Sequence, residues 1–139
     1  MKRLLAVAAL AALSSCGGDS SGPKDPYELN AGVYALQTVN TETLPATLIT
    51  FDDGSRADIT SGSATLRSDH SYTQTLVAKS YSSTGALTDT QSASENGTYT
   101  LVGTQITFTL DDNSFSYSGA VDRGTLSYTE SGISLTFHK

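Results

Sequence analysis

Five stretches in the C-terminal half alternate strictly between apolar and small hydroxyl-bearing or polar residues, and this period of two restricts the chain to half-buried β-structure. Tyr99 and Leu101 alternate with Thr98 and Thr100; Ile106, Phe108 and Leu110 with Thr107 and Thr109; Phe115 and Tyr117 with Ser114, Ser116 and Ser118; Leu126 and Tyr128 with Thr125, Ser127 and Thr129; Ile133, Leu135 and Phe137 with Ser134, Thr136 and His138. A strand turns successive side chains to opposite faces. Each stretch therefore has one face to bury and one to wet, as in antiparallel sheet. The breaks between them are Val102-Gly103, Asp111-Asp112-Asn113, Asp122-Arg123-Gly124 and Ser131-Gly132, all short enough for hairpins. The spacing predicts five consecutive strands joined as a meander.

The N-terminal half carries the same grammar less regularly. Strands are expected over 33–39, over 46–51 with Pro45 at its start, over 56–66 with a bend at Gly62, and over 72–81. Asp52-Asp53-Gly54 reads as a turn, and 86–93 reads as an edge strand or a loop. No helical periodicity follows the first fifteen residues. Eight to ten strands in sequence create an edge problem that closure into a barrel removes. The fold class is accordingly all-β: an antiparallel up-and-down meander closing into a barrel of 8–10 strands. A two-sheet sandwich is the alternative, but its long crossovers fit the short turns poorly.

Leu44-Pro45-Ala46-Thr47, residues 60–66 (TSGSATL), Ser68-Asp69-His70-Ser71-Tyr72, and Gly97-Thr98-Tyr99-Thr100-Leu101 with the hairpin at Ile106-Thr107-Phe108 resemble the small lipocalin-like lipoproteins of bacteria. Gly32-Val33-Tyr34 stands where true lipocalins carry Gly-x-Trp, with Tyr in place of Trp. The resemblance implies an up-and-down barrel with a closed or narrow interior, holding at most a small apolar ligand.

The chain opens Met1-Lys2-Arg3 and continues through residues 4–13 without a polar side chain, the plan of a signal peptide. Those residues would span about 15 Å as a helix, half the hydrocarbon core of a bilayer. Leu13-Ser14-Ser15-Cys16 resembles the bacterial lipobox, whose cysteine takes a diacylglycerol group, becomes the new N-terminus and is then acylated, commonly with palmitate. The chain has a single Cys, which excludes an intrachain disulfide. Gly17, where the inner-membrane retention signal would place Asp, points through the same resemblance to the outer membrane. Residues 17–26 (GGDSSGPKDP) hold nothing to bury and read as a tether of roughly 17 Å. The expected organisation is a signal peptide over 1–15, a lipid-anchored linker over 16–26 and a lipocalin-like barrel over 27–139. Loss of Lys2 and Arg3 from eight basic residues leaves six against fourteen acidic ones, a net of −8. Such a domain repels anionic lipid and nucleic acid, so neither is an expected partner.

No catalytic constellation emerges, and the chain reads as a non-enzyme. Only His70 and His138 could serve as bases, and no G-x-S-x-G elbow is present. Asp52-Asp53 and Asp111-Asp112-Asn113 lack the calcium-loop pattern and read as turns; no metal and no cofactor is expected. The aromatic residues Tyr34, Phe51, Tyr72, Tyr99, Phe108, Phe115, Tyr117, Tyr128 and Phe137 fall mostly on the expected inner face. Of these, Tyr34, Phe51, Tyr72, Tyr99, Phe108, Tyr117 and Tyr128 form the candidate wall of an apolar ligand site. The alternative is that they only pack a core, since a domain this small must bury most of its large side chains to fold. Two roles remain open: a membrane-tethered barrel binding a small apolar ligand, or a filled barrel acting through its surface or an unprotected edge near 86–93. Protein partners are not indicated by any motif.

Overall fold

A computed structural model describes residues 22–139; the segment expected to be a signal peptide, Cys16 and the first part of the expected linker lie outside the described residues. The alternating segments form strands β1 (Gly32–Val39), β2 (Glu42–Thr43), β3 (Ala46–Thr50), β4 (Arg56–Leu66), β5 (Ser71–Tyr81), β6 (Leu87–Val102), β7 (Gln105–Leu110), β8 (Ser116–Asp122), β9 (Thr125–Glu130) and β10 (Ile133–His138). Every pairing is antiparallel. β1 pairs with β10 on one side and with β4 on the other, so eight strands close in sequence order, with β2 and β3 as additions. The closed up-and-down barrel is the architecture that the hairpin spacing predicts.

Recurrent turn chemistry produces these hairpins. In the β3–β4, β4–β5 and β7–β8 turns, Asp53, Asp69 and Asp112 each accept the amide of the serine two residues on, at 2.9 Å. The same aspartates also accept those serine hydroxyls. The residue between, Gly54, His70 or Asn113, has positive φ. These hydrogen bonds hold the three exposed carboxyls below the usual aspartate range, the serine hydroxyl contributing most.

The inward face is continuous. Tyr99, Phe108 and Tyr117 lie in register across β6, β7 and β8, and Phe108 meets the rings of Tyr72, Tyr117 and Tyr128 at 4.8, 5.0 and 5.2 Å between centroids. Tyr128 continues the stack onto Phe137 at 5.5 Å. Two glycines on this face allow close approach. A Cβ on Gly97 would lie 2.1 Å from the Thr109 carbonyl oxygen, and one on Gly119 would lie 2.2 Å from that of Ser127. Among the described residues the core is drawn from residues 27–137 and the ring closes on itself, so this part carries a core of its own.

Four features depart from the sequence expectations. A one-turn helix, α1 (Pro26–Asn30), starts at the last expected linker residue; Asp25 caps it by accepting the Tyr27 amide. The irregularity in β4 is a bulge between Ile59 and Ser61 rather than a bend at Gly62. Residues 86–93 are not a loop, and the expected edge is part of a longer strand rather than a strand of its own. From Leu87 they form the first half of β6, hydrogen-bonded to β5 throughout but free on the other side, because β7 pairs only from Gly97 onward. Phe51 and Phe115 are not on the inner face: they are 51% and 47% exposed. Phe51 closes the turn after β3, a strand outside the ring, and Phe115 closes the β7–β8 turn.

Candidate functional site

The two ends of the barrel differ. At one end α1 forms a cap. Tyr27 stacks on His70 at 3.7 Å, its hydroxyl accepts the Leu101 amide at 3.2 Å, and Tyr34 donates to the Asn30 carbonyl at 2.7 Å. Lys139 reaches back to the Ala31 carbonyl across the same end. Burial raises the Tyr34 phenol, and burial followed by the Tyr27 phenol pushes Tyr99 up to about 12. At the other end β4, β5 and β6 run past the ring and, with β3, form a flap beside an open mouth.

The mouth holds the polar groups of the interior. Glu95 on β6 accepts hydrogen bonds from the hydroxyls of Tyr72 and Tyr117 through one carboxylate oxygen, the Tyr117 contact being 2.5 Å. Gln74, 5% exposed, and Glu130 at the end of β9 lie in the same group. Burial first, then the adjacent Glu95 carboxylate, lifts the Glu130 carboxyl above its ordinary range. The phenols of Tyr72, Tyr117 and Tyr128 are all raised, chiefly by burial. The next influence is the Glu95 hydrogen bond for Tyr72 and Tyr117, and the Glu130 charge for Tyr128. The Tyr128 hydroxyl is buried and has no hydrogen-bond partner among the described residues.

Two depressions open here. One is an apolar cleft of about 210 Å³ between the flap and the β9–β10 turn, lined by Leu48, Ile59, Leu76, Ile133 and Leu135, with Glu130 at its edge. The other is a shallow, open acidic depression where Glu95 meets Asp111 and Asp112.

Of the seven aromatic residues singled out by pattern, Tyr34, Tyr72, Tyr99, Phe108, Tyr117 and Tyr128 are buried inside the barrel, where the rings of all but Tyr34 pack on one another, and Phe51 stands apart on the flap. Cys16 lies outside the described residues. Among the described residues no three His, Cys, Asp or Glu side chains gather as a metal site. Asp53 and Asp112 are occupied by serines, and His70 by Tyr27. Sequence reading missed Glu95, Gln74 and Glu130. Their signal was parity: each sits an even number of residues from an inward aromatic, Glu95 from Tyr99, Gln74 from Tyr72 and Glu130 from Tyr128. Comparison with family models, curated proteins and solved structures returned no match.

Proposed function

We propose that this chain is a non-catalytic lipoprotein of the bacterial envelope, anchored through acylated Cys16, whose lipocalin-like barrel binds a small ligand with an apolar body at its open mouth. The observation that carries the binding reading is the cleft of about 210 Å³ walled by Leu48, Ile59, Leu76, Ile133 and Leu135. Its volume lies below the roughly 300–1,000 Å³ of drug-sized sites, so the ligand is small or only partly enclosed. The aromatic side chains deeper in the barrel then serve as the packed floor of the site rather than as walls of an internal cavity. Joined to the capped end through α1, a lipid tether would leave the mouth accessible to solvent.

Native mass spectrometry of the protein purified from its own host tests the reading. A small-molecule adduct that is lost on denaturation is expected; a folded protein with only the apo mass counts against it. Labelled palmitate should enter the wild-type chain and not Cys16→Ser, and equal labelling of both would remove the anchor.

One observation favours a second reading, a surface-acting interaction protein. The flap has two free strand edges, β3 and residues 87–95 of β6, and exposes Leu48, Ile49, Phe51 and Leu87. Crosslinking in intact cells that captures a defined partner through β3, with no ligand in the mouth, would support this reading over the first.

A further inference from the structure

The mouth gathers carboxylates and, among the described residues, supplies no cation. Glu95 accepts the Tyr117 hydroxyl, the Tyr117 ring lies 5.1 Å from that of Tyr128, and Glu130, two residues on from Tyr128, stands at the edge of the apolar cleft; Asp111 and Asp112 line an open depression with Glu95. The basic residues of the described chain are placed elsewhere. Arg67, Arg123 and Lys139 stand at the capped end, and Lys24 precedes α1. Arg56 is paired with Asp58 at 3.1 Å, and Lys79 lies opposite Asp58 on the same face of the flap. Two neighbouring carboxylates in a partly desolvated site repel one another, and a cation between them relieves that repulsion.

A second, independent observation points the same way. Tyr128 is only 4% exposed, its ring lies against that of Tyr117, which binds Glu95, and its hydroxyl has no hydrogen-bond partner among the described residues. A buried hydroxyl is ordinarily satisfied. Here its oxygen can accept from a donor placed in the mouth. The apolar cleft shares Glu130 with this acidic group, so a ligand held by its charge would have hydrocarbon wall next to it.

We propose that the ligand is an organic ammonium, its nitrogen held between Glu95 and Glu130 and donating to the Tyr128 hydroxyl, with its apolar body in the cleft formed by Leu48, Ile59, Leu76, Ile133 and Leu135. This rests on the reading of the mouth as a small-ligand site and adds the chemistry of the ligand. The shared chemistry is the alkylammonium group, which a free amine or the head group of an ethanolamine lipid could supply. A divalent metal ion would leave the apolar wall unused and would find fewer oxygen ligands than calcium takes.

The test uses residues 22–139 at pH 7, with calorimetry and amide shifts in the NMR spectrum as readouts. Hexylammonium, hexanol, hexanoate and calcium are titrated separately. Hexylammonium is expected to bind at least tenfold tighter than hexanol, to shift the amides of Leu76 and Ile133, to weaken with added salt, and to lose at least tenfold on Glu130→Gln. Glu95→Gln, which keeps an oxygen acceptor for the two tyrosines, should lose a similar factor. If either variant fails to fold, the comparison among the four ligands on the wild-type protein still decides the matter. Hexanol binding as tightly as hexylammonium would overturn the ammonium while leaving the apolar site; binding of neither would overturn both. Calcium displacing hexylammonium at equal concentration would make this a metal site and overturn the proposal. Where hexylammonium binds, co-sedimentation with phosphatidylethanolamine but not phosphatidylglycerol vesicles, reversed by hexylammonium, assigns a lipid source, and no sedimentation assigns a free amine.

Discussion

Replacing Tyr128 with phenylalanine should stabilise the barrel, whereas the same change at Tyr72 or Tyr117 should weaken it. All three rings pack in the core, and the substitution leaves their contacts in place: Tyr128 keeps Phe108, Tyr117 and Phe137 at 5.2, 5.1 and 5.5 Å. What differs is the hydroxyl. That of Tyr128 is buried without a partner among the described residues, and leaving such a group unsatisfied costs about 1–3 kcal/mol. Those of Tyr72 and Tyr117 donate to the Glu95 carboxylate, and a hydrogen bond to a charged group contributes roughly 1.5–3 kcal/mol. Tyr128→Phe is therefore expected to gain about 1 kcal/mol, a rise of roughly 3–6 °C in Tm for a domain of this size. Tyr72→Phe and Tyr117→Phe should each lose about 2 kcal/mol. Urea unfolding of residues 22–139, followed by tyrosine fluorescence and far-ultraviolet dichroism, reads these changes as opposite displacements of the midpoint at unchanged slope. A loss above about 0.5 kcal/mol for Tyr128→Phe, outside the usual scatter of neutral changes, would show that its hydroxyl is satisfied and would refute the reasoning.

Phe108→Ala should cost about 3–5 kcal/mol, because the side chain is 1% exposed at the centre of the ring stack, and Phe115→Ala should cost under about 1 kcal/mol because that ring is 47% exposed; equal losses in urea melts would contradict the placement of the core. Gly119→Ala should cost at least about 1–3 kcal/mol, since the new Cβ would meet the Ser127 carbonyl oxygen at 2.2 Å and the backbone would have to move; a neutral result in the same melt would show that the close approach is absent. The acid limb has two opposing contributions. The carboxyls of Asp53, Asp69 and Asp112 are lowered by their serines, so their contribution is present above about 3.9 and disappears as pH falls through their folded values. Glu130 is raised by burial and by Glu95, so its contribution is full below about 4.3 and is lost as pH rises through its folded value. Glu130→Gln should thus gain on the wild type between pH 4 and 7 when midpoints are compared; parallel profiles would show that Glu130 is not perturbed.

Alternation and turn residues alone determine most of this fold. Hydroxyl-rich and apolar positions alternating through Ile106–Leu110, Leu126–Tyr128 and Ile133–Phe137 admit one buried face, and Asp-x-Ser or Arg-Gly at the breaks allows the chain only to reverse. That information is local, within a strand or a hairpin, and so can be read without coordinates. Closure of β1 onto both β10 and β4 is not local; it depends on sheet twist and on where each strand stops, and it alone separates core from flap. Phe51 and Tyr72 look alike as pattern, yet only Tyr72 meets an opposite wall. The mouth follows the same logic. Glu95, Glu130 and Gln74 come from three strands, and an inward charged residue looks like an interruption of the pattern until the curvature of the sheet brings it beside the others. Hydrogen bonding, burial and mutual repulsion then act across the barrel, between residues far apart in the chain, and no single strand contains them.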